Sequence, residues 1–385
     1  MRMLSKVLAG TASALALTAL LAGPAMADPP PGVTPKAADV VGVGSDTIQF
    51  LYDQLSHNFN KTGASSKLYS WDAVPQGEMI TPKRGCSSIV RPTGSSAGIS
   101  ALETSQTLKT GTRWCIDFAR SSRGRASTDP ACAANGICFV QLAGDAVTWA
   151  SRAAGTNAPA SLTLTQLKNI YTCKVRNWSN VGGKSGTIKA YLPQSSSGTR
   201  SFFLTALGGG TTPITPGSCV SDVNNTLIEN EGDAPQLNNV NAIFPYSVAD
   251  YIAQVYHSAH CSASNCGYPA SPSCIPSGKQ NLFGCDLHGA LAIRQIAGTK
   301  PALPWPLPPP PTPPAVNNTV HVNKAFSAPF QRIVYEVVRF ANTADHIPTY
   351  LEPLFGSSGY VCGTAGQGAI KAYGFLVLPS CGSAS

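Results

Sequence analysis

The chain has 385 residues, a formal net charge of +8, 43% hydrophobic residues and only 12% charged ones. That balance excludes a disordered polyelectrolyte. With no Lys/Arg run beyond the short cluster Arg120–Arg125, it also excludes a nucleic-acid-binding surface, while the modest positive excess suits a small anion or a cell-wall polymer.

The N-terminus reads as a secretory leader. Arg2 and Lys6 precede an apolar run from Val7 to Leu21, Gly23-Pro24 breaks it, and Ala25-Met26-Ala27 is a small-x-small cleavage site. Export follows, with cleavage before Asp28. The first cysteine is Cys86, so no lipid-modified N-terminal cysteine is expected. All twelve cysteines lie beyond the leader, and an even number in an exported chain implies disulfides. The simplest pairing joins neighbours: 86–115, 132–138, 173–219, 261–266, 274–285 and 362–381. His257, His260 and Cys261 fit no strong zinc spacing, so neither a metal nor a cofactor is expected.

Residues 28–37 form a proline-rich lead-in. Val40, Val41 and Val43 predict a strand, followed by a Gly loop and a helix in which Ile48, Leu51, Tyr52 and Leu55 share a face and Ser45 or Asp46 caps. Residues 68–93 read as extended, and "GSSAGISALE" enters a second helix near Ser95 or Ser96. Strands are predicted within 113–124 and 137–151, the latter crossing between lobes. A helix over 161–172 is capped by Thr163 or Thr165. Residues 186–207 repeat the strand, Ser/Gly loop, helix theme. The polyproline stretch 299–318 reads as a stiff surface loop. The spacing of "FQRIVYEVVRFA" (330–341) predicts an amphipathic helix, and 369–381 a closing strand. Strands alternating with helices imply α/β lobes.

Four loops share one chemistry: Ser45-Asp46-Thr47, Gly94-Ser95-Ser96, Arg120-Ser121-Ser122-Arg123 and Ser195-Ser196-Ser197-Gly198-Thr199-Arg200. Three of them open helices. Small hydroxyls and free backbone N–H groups at helix starts make a cage of neutral donors for an oxyanion, with Arg120, Arg123 or Arg200 available to add charge. Each loop taken alone is explained by an ordinary N-cap; four together point to a ligand.

"LTLTQLKNIYTCKVRNWSNVGG" (162–183) and "YLPQSSSGTRSFFLTAL" resemble the second-lobe signature of the phosphate-binding (PstS-like) components of bacterial ABC transporters. "GVGSDTIQ", "RPTGSSAGISAL" and "DFARSSRG" resemble that family's first-lobe loops, and "IENEGDAPQLNNVNAIFPYS" (228–247) and "AYGFLVLPSCG" also fit, most closely the secreted actinobacterial members. The resemblance implies an α/β, two-lobe type II periplasmic-binding-protein-like fold with a hinged cleft. Its first lobe would take residues 38–145 and 320–385, its second 146–298, with a proline-rich loop at 299–319. It also implies that inorganic phosphate or a related oxyanion is held by Asp46, Thr47, Ser95, Ser122, Ser197, Gly198 and Thr199 in a monomer that serves a transporter permease. Two positions depart from the family pattern: Pro193 stands where phosphate specialists usually have Arg, and Ser122 where they often have Asp. The sequence therefore leaves the anion open.

Gly94-Ser95-Ser96-Ala97-Gly98 also satisfies G-x-S-x-G, the nucleophile elbow of serine hydrolases. An elbow follows a buried strand directly, whereas Arg91, Pro92 and Thr93 stand at this approach, and Pro cannot donate to a central sheet ladder. No H-G-G-G-type segment precedes it, so no catalytic residue is assigned. A solute-binding protein is the leading reading; a secreted surface-interaction protein using the same fold without a small ligand is the alternative.

Overall fold

A computed structural model describes residues 28–29, 32–108, 113–257, 287–309 and 319–385. β1 (Val40–Gly44) leads into α1 (Gln49–Asn60), and β2 (Leu68–Ser70) returns parallel to β1. A ribbon of β3 (Met79–Ile80) and β4 (Ile89–Val90) precedes α2 (Ser95–Thr104) and β5 (Phe118–Ser121). The long β6 (Ile137–Arg152) is followed by β7 (Ser161–Leu162), α3 (Leu164–Tyr171), β8 (Lys189–Tyr191), α4 (Gly198–Leu207), β9 (Val220–Ser221), β10 (Ala242–Ser247) and α5 (Val248–Ile252). Then come β11 (Leu291–Ile293), β12 (Gln295–Ile296), β13 (Ala302–Leu303), β14 (His321–Val322), β15 (Gln331–Arg339), α6 (Glu352–Phe355), α7 (Thr364–Ala372) and β16 (Leu376–Val377).

The main sheet runs β2-β1-β5-β15-β6-β10-β8-β9, with β11 and β16 also on β6. β6 is its spine. Residues 137–146 pair with β15, 147–150 with β10 and 150–152 with β11, all antiparallel. One strand thus serves two half-sheets, and the C-terminal β15 sits between β5 and β6, so the first half is built from both ends of the chain. β6 is buried on both faces, as its near-continuous apolar run requires. Trp149 of β6 stacks on Trp178 at 6.2 Å within the main core, which also takes Leu167, Ile170 and Phe203 from α3 and α4. Each such fully buried side chain contributes roughly 1.5–3 kcal/mol relative to exposure.

Residues 331–339 are a strand, not the helix that their spacing predicts. Ile333, Val334, Val337 and Val338 are β-branched, and their neighbours on both sides are strands whose backbone groups need partners. The periodicity was compatible with either structure; the sheet decided. Likewise 369–381 begins inside α7, and only Leu376–Val377 pairs as a strand.

Cys86–Cys115, Cys132–Cys138, Cys173–Cys219 and Cys362–Cys381 are bonded as neighbour pairing predicts, with Cα–Cα distances of 5.9, 4.6, 5.8 and 5.6 Å. The leader, the 261–266 and 274–285 pairs, His260 and residues 310–318 of the polyproline stretch lie outside the described residues. Among the described residues no helix is long and apolar enough to cross a membrane, and no group of His, Cys, Asp or Glu is arranged to hold a metal.

Candidate functional site

The four Ser/Gly loops meet at the C-terminal ends of β1 and β5 and at the N-termini of α2 and α4. Two glycines make the approach possible. Gly94 has φ +94°, and a Cβ there would lie 2.7 Å from the Ser196 carbonyl. At Gly198 a Cβ would lie 2.2 Å from Ser95 Oγ and 2.4 Å from Ser122 Oγ. The loop before α2 and the loop before α4 touch directly: Ser96 N donates to Ser196 O at 3.0 Å, and Ser196 Oγ to Thr93 O at 2.6 Å.

At the centre lies a carboxylate, that of Glu229, completely buried. Its Oε1 is 2.7 Å from Ser45 Oγ and 3.5 Å from Thr47 Oγ1. Its Oε2 accepts from the Ser197 hydroxyl and, at 3.0 Å, from the Thr199 N–H. Behind this shell, Ser122 Oγ lies 3.1 Å from Ser45 Oγ and 3.2 Å from Ser95 Oγ, and Ser122 N donates to Ser95 Oγ at 2.9 Å. Thr47 and Thr199 hydroxyls bridge the halves at 3.4 Å. Burial alone pushes Glu229 upward, yet hydrogen bonds from Asp46, Ser197, Ser45 and the Thr199 N–H outweigh it and hold the carboxyl below its ordinary range. Asp46 moves the other way: burial, then the charge of Glu229 and the hydrogen bond to it, raise it well above the carboxylate range. The two buried carboxyls are therefore driven apart, Glu229 downward and Asp46 upward.

The cation at this site is Arg332 of β15, which the sequence reading missed. Its Nη1 donates to Ser122 O at 2.9 Å and to Thr199 Oγ1 at 3.1 Å. Its Nε and Nη2 meet Asp145 Oδ2 at 2.9 and 2.8 Å. Read as a helix, 330–341 gave no reason to place Arg332 inward; as a strand it alternates into the interior. Glu229 was missed because the stretch 228–247 entered only as part of a family resemblance, with no chemistry read from its carboxylates. The only local signal is Asn230, whose φ of +56° marks a tight turn and whose side chain donates to Thr47 Oγ1 at 2.9 Å.

The three arginines expected to add charge are engaged elsewhere. Arg120 is buried behind the first loop, donating to Ser45 O at 2.8 Å and to Ser70. Arg123 pairs with Asp129 at 2.5 Å and donates to Ser96 Oγ at 3.1 Å. Arg200 holds Asp222 and the Pro193 carbonyl, each at 2.8 Å. Ser121 turns to the Arg123 carbonyl at 2.8 Å. Ser45 and Asp46 do not cap α1, whose N-cap position is Ile48 and lacks a side-chain bond; the Ser45 hydroxyl is drawn to Glu229 instead. Ser197 does cap α4, accepting from Arg200 N at 3.0 Å. The G-x-S-x-G segment follows a short ribbon strand, not the central sheet, and Ser96 faces a guanidinium.

No curated protein matches the chain. Among solved structures, a putative phosphate ABC transporter substrate-binding protein with bound phosphate from Clostridium perfringens is 16% identical, with 88% of this chain and 99% of that chain covered and a TM-score of 0.51. An ABC-type phosphate transport receptor from Vibrio cholerae is also 16% identical, over 88% of this chain and 100% of that one, with a TM-score of 0.49. The first of these shares the two-lobe α/β fold. A family model described as a PBP superfamily domain matches residues 29–258. Because that match spans more than half of the sequence and agrees with the half-sheets joined at β6, the chain belongs to the PBP superfamily.

Proposed function

We propose that this protein is an exported solute-binding protein that captures an oxyanion, phosphate or a phosphate-like anion, between its two lobes. One observation carries the reading: hydroxyl and N–H donors from the loops after β1 and before α4 converge on a single buried carboxylate, with Arg332 beside them. A cage that holds two carboxylate oxygens with neutral donors has the chemistry to hold the oxygens of another anion. The phosphate bound by the Clostridium perfringens relative supports phosphate as the first ligand to try. The lobes are read as 38–145 with 320–385, and 146–298. Closure would bring both sets of donors onto the solute. The same reading includes a leader cleaved near Ala27, a monomeric protein without catalytic residues and delivery to an ABC transporter permease.

Isothermal titration with phosphate, sulfate and phosphate monoesters tests it. Saturable binding of at least one, weakened in Ser197→Ala, is the expected result. A second reading, a surface-interaction protein without a small ligand, is favoured by one fact: Glu229 already satisfies the donors. The absence of binding to every oxyanion, in the wild type and in variants lacking the Glu229 charge, would leave that reading standing.

A further inference from the structure

The Glu229 carboxylate bonds to the groups that a captured anion would need. Its two oxygens take the Ser45 and Ser197 hydroxyls and the Thr199 N–H, and the side chain is completely buried. A second anion cannot simply be added beside it. The space between the loops is closed, since a methyl at Gly198 would already fall 2.2 Å from Ser95 Oγ. The charge balance is adverse as well: Asp145 already engages the Arg332 guanidinium, so another negative charge next to an ionised Glu229 would be strongly repelled.

Glu229 nevertheless stands in a turn. It belongs to neither a helix nor a strand. Its neighbour Asn230 is the fixed point: Asn230 donates to Thr47, accepts from Ser247 N at 2.8 Å, and its carbonyl accepts from the Gln254 side-chain amide at 2.7 Å. With Asn230 anchored, a rotation of the Glu229 side chain would free the donors while the loop stays held at Asn230.

We infer that Glu229 is an internal competitor for the anion site: capture is an exchange in which its carboxylate leaves the Ser45, Ser197 and Thr199 donors as the solute takes them. This rests on the oxyanion reading above and deepens it, for the residue then sets the affinity of the site. Only the fraction of molecules with Glu229 withdrawn is competent, and the apparent dissociation constant rises in inverse proportion to that fraction.

The test is titration of inorganic phosphate into the wild-type protein, Glu229→Ala and Glu229→Gln, after dialysis free of phosphate. Glu229→Ala is expected to bind at least about tenfold more tightly than wild type, with Glu229→Gln shifted in the same direction. In thermal scans acetate, a truncated carboxylate, should stabilise Glu229→Ala and leave the wild type unmoved. Should the variants fold poorly, the wild type decides by itself: with ¹³C-labelled glutamate, the Glu229 carboxyl resonance should move on saturation with phosphate. Wild-type binding as tight as that of the folded variants, or an unmoved Glu229 resonance at saturation, overturns the inference while the oxyanion reading stands. If phosphate, sulfate and acetate affect neither wild type nor variants, both fall together.

Discussion

Two buried glutamates in this molecule meet opposite fates. Glu229 lies in the cage, supplied with donors by Asp46, Ser197, Ser45 and Thr199, and is held ionised below its ordinary range. Glu336, on β15, is equally inaccessible, and the Tyr52 hydroxyl donates to it at 2.5 Å; burial pushes it up to about 8. The same side chain, equally removed from water, is charged in one place and neutral over most of the pH range in the other. What differs is the number of donors aimed at the carboxylate, since each hydrogen bond to the charged form offsets part of the desolvation cost. Preassembled donors, more than a neighbouring cation, hold the Glu229 carboxylate: Arg332 contacts the shell around it and directs its own charge to Asp145.

The contrast can be broken most strongly at Arg332. Arg332→Met leaves Asp145 buried without its cation and should lower unfolding stability by about 3–5 kcal/mol, read from urea denaturation. Asp145 also accepts from the Ser247 hydroxyl at 2.8 Å and the Ala249 N–H at 3.0 Å, and a loss within about 0.5 kcal/mol would show that these two donors satisfy it alone.

The pH dependence comes next. Between the ordinary value of 4.5 and about 8, the unfolded chain has released a proton that folded Glu336 keeps, so its contribution is fully present below 4.5 and is lost as pH rises to about 8. Glu336→Gln should remove that decline, and the difference between variant and wild-type melting temperatures should grow across this window. Glu229 has the opposite sign: its contribution is present above pH 4.5 and is lost as pH falls below it. A Glu336→Gln difference that is flat with pH would place the two glutamates in the same state.

The smallest effects separate a cap from a cap that also holds an anion. Thr163 caps α3 in a reciprocal box with Gln166 on the surface, and Thr163→Ala should cost about 1 kcal/mol. Ser197 caps α4 and also donates to Glu229. Ser197→Ala should cost more, roughly 1–3 kcal/mol, because a charged acceptor is left short of a donor. Equal losses would mean that the Glu229 bond contributes nothing beyond the cap.

Much of this architecture was readable in the residues. The Val40–Val43 strand, the Ser/Gly loops before α2 and α4, the Thr163 cap and four neighbour disulfides follow from local chemistry: β-branched runs, hydroxyls at helix starts and the number of cysteines. The loops whose donors converge on Glu229 were legible for the same reason, because a helix N-terminus advertises itself within a few residues. The arginines were not, since a guanidinium on a long side chain can turn either way, and Arg120, Arg123 and Arg200 turned to Ser45 O, Asp129 and Asp222.

Sequence by itself therefore determined which segments would offer donors, since that depends on side-chain type and the backbone next to it. Tertiary structure alone decided what those donors would hold. The sheet converted 331–339 into a strand and so brought Arg332 inward, 133 residues along the chain from Thr199. It also brought Glu229 to within 2.7 Å of Ser45 across 184 residues. The physical reason is the same for both: an inward-facing charge is fixed by partners distant in sequence, and no local pattern records them.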